Sequence, residues 1–247
     1  MIQTLSAYIQ QRYNPFLFGG LALYLLLFSY LPDVQAGALL MFVPYLMALF
    51  FIFRLYDDVM QYEHDAAKTE RLTTNPGARK LLFRALLILM GMFLILMGIQ
   101  SFILAGMILV FFLLNHILYR ICIKSKTLAG YLPLLKYPFF VFLITASMGA
   151  ETNGVEYWSM ASIFMAFVVF EGLTDSTFAL PARFSYILHI LSFLALAGLS
   201  WSPMAGGVLA AGALLSTVGR YYQLSSSAYL YLVLLMVCRL MIVVGGW

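Results

Sequence analysis

The chain has 247 residues, 64% hydrophobic and only 10% charged, with a mean hydropathy of +0.96 and a formal net charge of +4. A soluble domain carries roughly a quarter charged residues, and none of this size can bury so much apolar side chain, so lipid must be the solvent for most of the surface. The composition therefore argues against a soluble enzyme or a nucleic-acid-binding domain, and apolar runs that are continuous rather than alternating argue against a β-barrel.

Residues 1–16, MIQTLSAYIQQRYNPF, read as a short amphipathic lead-in rather than a signal peptide, because no early apolar core precedes a small-residue cleavage site. Nine apolar segments follow, at about 15–32, 37–56, 81–99, 102–121, 130–149, 157–175, 184–200, 203–219 and 226–246. Each approaches the roughly 20 residues that cross a bilayer as a helix. Polar breaks separate them, the shortest being Gln100-Ser101 and Ser202-Pro203, where a tight turn must divide two helices. Cys122 and Cys238 lie in or beside apolar segments without a CxxC partner, which excludes a disulfide framework or zinc site. No linker or repeat divides the chain, so 1–247 reads as a single all-α integral membrane domain of nine transmembrane helices.

Charge orients it. With nine spans, the N-terminus and the breaks after spans 2, 4, 6 and 8 share one side. Twelve of the fourteen Lys and Arg residues fall on or near that side: Arg12, Arg54, Lys68, Arg71, Arg79, Lys80, Arg84, Arg120, Lys124, Lys126, Arg183 and Arg220. Lys136 and Arg239 lie inside spans 5 and 9, and the opposite side holds Asp33, Glu151 and Glu156. The positive-inside rule then puts the N-terminus in the cytoplasm. The expected location is the cell (inner) membrane, multi-pass.

The break after span 2 continues as RLYDDVMQYEHDAAKTERL, with no Gly or Pro before Asn75-Pro76-Gly77. The helix is expected to run on past Tyr56 for two or more turns. Asp57, Gln61 and Asp65 are spaced i, i+4, i+8 on one face, with Asp58 beside them and Arg54 one turn earlier. Stacked carboxylates repel unless a cation lies between them, and hard oxygen ligands suit Mg²⁺ bridging to substrate phosphates. The bland alternative is a solvated charged helix end beside the membrane. Span 6 ends with a second pair, Glu171 and Asp175, at i, i+4 on the same membrane side. An acid at such depth ordinarily faces a polar cavity or a partner. The nearby Lys68, Arg71, Lys124, Lys126 and Arg183 are either diphosphate ligands or ordinary positive-inside residues. Lys136, an intramembrane cation, either reaches a substrate oxygen or pairs with an acid such as Glu171. Arg239 pairs or snorkels, and Asn115, His116 and His189 read as structural.

Nine helices with one acidic motif after the second and another after the sixth resemble the UbiA superfamily of intramembrane prenyltransferases. The family's first motif is NDxxDxxxD; here Asp57-Asp58-x-x-Gln61-x-x-x-Asp65 keeps its second and last acids, with Asp for Asn at the first position and Gln for Asp at the third. Its second motif, of DxxxD type, is similar to Glu171-x-x-x-Asp175, and its LY…K stretch is similar to Leu118-Tyr119 followed by Lys124. The resemblance implies a Mg²⁺-dependent transferase in isoprenoid biosynthesis, with its active site facing the cytoplasm. Asp57, Asp58, Asp65, Glu171 and Asp175 would be catalytic and, with Gln61, would ligate the metal. Arg54, Lys68, Arg71, Tyr119, Lys124 and Lys136 would hold the diphosphate of an isoprenyl donor. The implied partners are that donor, an aromatic or other electron-rich hydrophobic acceptor, and membrane lipid; no nucleic acid is involved. Gln61 offers a neutral carbonyl oxygen where the family has a carboxylate, which bears on how many Mg²⁺ ions are held. The alternatives are a terpene cyclase acting on the donor alone, a catalytically silent relative, and, from a different class, a transporter with polar residues through the depth of several helices.

Overall fold

The computed structural model describes residues 1–29, 40–60, 72–122, 131–147, 155–174, 181–197, 202–221 and 227–245. Among them every regular element is helical: ten α-helices and two short 3-10 turns. In chain order these are α1 (Ile2–Arg12), α2 (Pro15–Ser29), α3 (Phe42–Met60), α4 (Pro76–Gln100), α5 (Phe102–Cys122), α6 (Lys136–Ser147), α7 (Val155–Thr174), α8 (Ala182–Ala197), α9 (Pro203–Tyr221) and α10 (Ser227–Gly245). The 3-10 turns, Leu72–Thr74 and Leu132–Leu135, lead into α4 and α6.

Local chemistry sets several helix starts. Asn14, Asn75 and Ser202 each precede a proline, whose fixed φ and missing N–H suit the first helical position. The Asn14 side chain accepts from the N–H groups of Phe16 and Leu17 at 3.0 and 3.2 Å. Asn75 accepts from Gly77 and Ala78 at 2.9 and 3.2 Å, and Ser202 from Ala205 at 3.3 Å. Each satisfies donors that a helix start leaves open. Ser101 alone separates α4 from α5. In extended conformation, it donates its N–H to the Met97 carbonyl at 2.7 Å while its hydroxyl accepts from Leu104 N–H at 3.3 Å. One residue thus ends one helix and caps the next.

The chain packs as two compact units. The first comprises 1–23 and 41–114. In it α3 packs on α4, and α1 also lies against α4. The side chains of Leu46, Leu49, Phe50, Phe53, Leu82 and Leu86 are buried there. The rings of Phe53 and Tyr56 meet those of Phe111 and Phe112 on α5. The second unit comprises 24–40 and 115–247. There α7 packs on α8, α8 on α9, α9 on α10 and α10 back on α7, which closes a four-helix ring, while α6 packs on α7. Tyr137 of α6 stacks on Phe167 of α7, ring centroids 3.7 Å apart and 8° from parallel. Gly212 of α9 lies so close to α8 and α10 that an added Cβ would sit 2.5 Å from Cys238 Sγ and 3.0 Å from the Phe193 ring.

Among the described residues, three helices are long and apolar enough to cross a membrane: α4 over Pro76–Gln100, α5 over Phe102–Ile121 and α10 over Ser227–Val244. At 1.5 Å per residue the 25 residues of α4 reach about 37 Å, beyond the roughly 30 Å of a hydrocarbon core. Exposed Ile95 and Ile99 on α4 and Phe102, Ile103, Leu113 and Ile117 on α5 give these two helices an apolar surface that suits lipid. Apolar helices of 10–17 residues account for α2, the Leu132–Ser147 stretch through α6, and the apolar parts of α7, α8 and α9. The helix α3 differs in kind, because Arg54, Asp57 and Asp58 occupy its last two turns.

Candidate functional site

The last two turns of α3 combine Arg54, Asp57 and Asp58 with a helix face that is otherwise aromatic and aliphatic. Both carboxylates are buried, Asp57 at 7% and Asp58 at 4% exposure. For Asp58 the compensation is explicit, and it comes from α1. Arg12 donates from Nε to Oδ2 at 2.9 Å and from its Nη2 to Oδ1 at 3.0 Å, a two-point fork that matches the planar carboxylate. The Tyr8 hydroxyl donates to Oδ2 at 2.8 Å. Arg54, one turn before Asp58 on the same helix, brings Nε to 3.5 Å from Oδ1. A charge so buried is stable only when paired and hydrogen-bonded in this way.

The rest of α1 is fitted to the same helix. Tyr8 meets the ring of Phe51 at 6.2 Å, and Tyr13 meets it edge-on at 5.2 Å. Tyr13 stacks on Phe18 of α2 at 4.6 Å, and its hydroxyl donates to the Met47 carbonyl at 3.4 Å. Contacts from Met47 to Asp58 thus run along three turns of α3. Burial, and then the negative charge and acceptor of Asp58, raise the Tyr8 pKa far above the ordinary phenol value, so this hydroxyl remains a donor.

Other residues expected to act are found in different settings. Tyr119, in the last turn of α5, is buried. Lys136, the first residue of α6, is buried at 6% exposure with Nζ 5.5 Å from the Tyr137 ring centroid. Glu171 lies in the last turn of α7, half-buried, one turn beyond the Phe167 that stacks on Tyr137. Gln61, Asp65, Lys68, Arg71, Lys124 and Asp175 lie outside the described residues. Among the described residues, no three His, Cys, Asp or Glu side chains are grouped so as to hold a metal ion. The α3 contribution described is the adjacent pair Asp57 and Asp58.

The second unit holds a buried polar seam that apolar periodicity conceals. His189 Nε2 of α8 is hydrogen-bonded to Ser216 Oγ of α9. The Ser216 hydroxyl donates to the Ala213 carbonyl at 3.1 Å. Tyr231 of α10 donates to Ser192 Oγ at 2.7 Å and stacks on the His189 ring at 4.4 Å. Ser162 of α7 donates to the Ser192 carbonyl at 2.8 Å. All four helices of the ring are joined through these groups, the kind of polar glue that replaces the hydrophobic effect between helices in lipid. Ser185, one turn before His189, and Ser159, one turn before Ser162, extend the seam at either end. Both are buried, with hydroxyls that have no hydrogen-bond partner among the described residues. The spacing Ser185, His189, Ser192 (i, i+4, i+7) was the sequence signal for this face.

No family model, no curated protein and no solved structure matches this chain.

Proposed function

We propose that the chain is a UbiA-type, Mg²⁺-dependent membrane prenyltransferase with nine transmembrane helices, its N-terminus and acidic motifs on the cytoplasmic side of the cell (inner) membrane. The observation that carries this reading is position. Nine helices, α2 to α10, follow α1 among the described residues, and the buried acids Asp57 and Asp58 close the second while Glu171 lies in the last turn of the sixth. Asp57, Asp58, Asp65, Glu171 and Asp175, with the Gln61 carbonyl, would hold Mg²⁺, which supplies charge to offset the donor's diphosphate. Arg54, Lys68, Arg71, Tyr119, Lys124 and Lys136 would hold the remaining diphosphate oxygens. The allylic C–O bond breaks with its electron pair leaving on the diphosphate. An electron-rich acceptor then attacks the allylic carbon and loses a proton. The apolar helices would keep water from the cation. Without an acceptor, an internal double bond attacks instead, and the cyclic cation that forms loses a proton to give a cyclic product.

Purified protein incubated with Mg²⁺ and allylic diphosphates should release diphosphate, and Asp65→Ala or Asp175→Ala should abolish the release. Undiminished turnover in both variants would refute the assigned acids.

A second reading, transport, draws on the buried polar seam of the second unit, which sets hydroxyl and imidazole groups from α7, α8, α9 and α10 at apolar depth. Solute flux in proteoliposomes without any chemical product would favour it.

A further inference from the structure

We infer that the start of α4 is a seat for an anionic phospholipid: Lys80 and Arg84 hold its phosphate, and the apolar stripe beyond them carries an acyl chain. The inference rests on α4 crossing a bilayer and is independent of the proposed chemistry.

The stripe is continuous. Lys80, Arg84, Ile88, Met92, Ile95 and Ile99 follow at helical spacing along one face of α4, and all six are exposed. The opposite face, with Leu82, Leu86, Phe93 and Met97, is buried. Cations thus occupy the first turns of the exposed face, and the rest of the stripe is apolar. From Arg84 to Ile95 the helix rises about 16 Å, half of a roughly 30 Å hydrocarbon core and so the depth of one leaflet.

The electrostatics of this end call for an anion. Like charges at i, i+4 repel, and cations in the first turns oppose the positive end of the helix dipole. The first turn of α4 holds no acid. Among the described residues, neither Lys80 nor Arg84 has an ion-pair or hydrogen-bond partner. Tyr45, near the start of α3, accepts from Gln100 at the end of α4, so these packed helices run antiparallel. Asp57 and Asp58 therefore lie at the end where α4 begins. They are the only acids among the described residues of this unit, and both are buried, Asp58 in the grip of Arg12. The exposed charge at this end is positive.

The chemistry selects a phospholipid. The Asn75 side chain already accepts from the Gly77 and Ala78 amides, so an anion meets the side chains of α4 rather than its backbone. A guanidinium offers a phosphodiester two parallel N–H groups, and the lysine adds a point charge on a flexible stem. A soluble phosphate gains nothing from Ile88, Met92 and Ile95, whereas a phospholipid lays its chain along them.

The test uses full-length protein, stripped of lipid in neutral detergent, with phosphatidylglycerol and phosphatidylcholine of identical chains as probes. Native mass spectrometry reads the affinity for each. A cation at the membrane surface favours anionic lipid by about fivefold, so wild type at low salt should prefer phosphatidylglycerol about 25-fold. Lys80→Gln and Arg84→Gln should each lose about fivefold of that preference, and the double variant should bind both lipids alike. High salt should shrink the wild-type preference, and glycerol phosphate should not displace the lipid. Equal binding of the two lipids by wild type would overturn the inference, even where the double variant fails to fold. So would a double variant that keeps the full preference, or displacement by glycerol phosphate, which marks a phosphate site with no use for the chain. Each of these failures leaves diphosphate release untouched, so the two readings stand or fall separately.

Discussion

Arg12 grips Asp58, 46 positions away in sequence, Nε to Oδ2 at 2.9 Å and Nη2 to Oδ1 at 3.0 Å, and so ties the amphipathic helix α1 to the end of α3. Asp58→Ala would leave Arg12 without its acceptor and Tyr8 with a buried hydroxyl unserved. Charge-assisted hydrogen bonds contribute about 1.5–3 kcal/mol each, and the shared geometry makes the losses non-additive. The expected cost is about 2–4 kcal/mol, read as a lower thermal midpoint in detergent, with protease cleavage appearing first in 1–13.

Tyr8 gives this contact an alkaline limit. Its folded pKa is raised by burial and by Asp58, whereas the unfolded phenol ionises near 10. Above that pH the unfolded chain gives up a proton that the folded chain retains, so stability falls as pH rises. The contribution is whole below about pH 10 and drains away above it. Thermal midpoints measured at pH 8, 9.5 and 11 should decline more steeply in wild type than in Tyr8→Phe. The variant should also cost about 1 kcal/mol at neutral pH, from the lost hydrogen bond.

Gly212 should not tolerate a methyl group. The added Cβ would lie 2.5 Å from Cys238 Sγ and 3.0 Å from Phe193, and overpacking of this kind costs roughly 1–3 kcal/mol. Gly212→Ala should lower the thermal midpoint, and Cys238→Ala in the same chain should restore part of the loss, since the sulfur is the nearer obstacle.

Within the polar seam, Tyr231→Phe and Ser192→Ala each remove one end of the same 2.7 Å hydrogen bond. Interhelical hydrogen bonds in membranes average about 0.6 kcal/mol and reach about 1.7. Each single variant should cost about that much, and the double variant clearly less than the sum. Additive losses would show that the two side chains act separately.

The helical plan was legible because the apolar runs are continuous and their breaks carry cap chemistry. Asn14-Pro15, Asn75-Pro76 and Ser202-Pro203 announce the starts of α2, α4 and α9, and Ser101 suffices as the turn between α4 and α5. Hydropathy alone began the third segment at 81, whereas α4 starts at Pro76, because Arg79 and Lys80 interrupt the apolar run without interrupting a capped helix. Its fifth segment opens as a 3-10 turn over Leu132–Leu135, with Pro133 at the start. The clustering of Asp57 and Asp58 could be read from spacing; what neutralises Asp58 could not. Arg12 looked like one more positive-inside residue, since no local pattern in 1–16 points to a carboxylate 46 positions away. The seam was missed for a related reason: single serines in apolar helices mean little until four helices close around them.

The most direct measurement is diphosphate release by the purified wild-type protein from a series of allylic isoprenyl diphosphates, with Mg²⁺ and again with the metal chelated. A Mg²⁺-dependent release, accompanied by a prenylated or cyclised product in the lipid phase, is the expected result. No release at any donor chain length, from protein that remains folded, would contradict the proposed function.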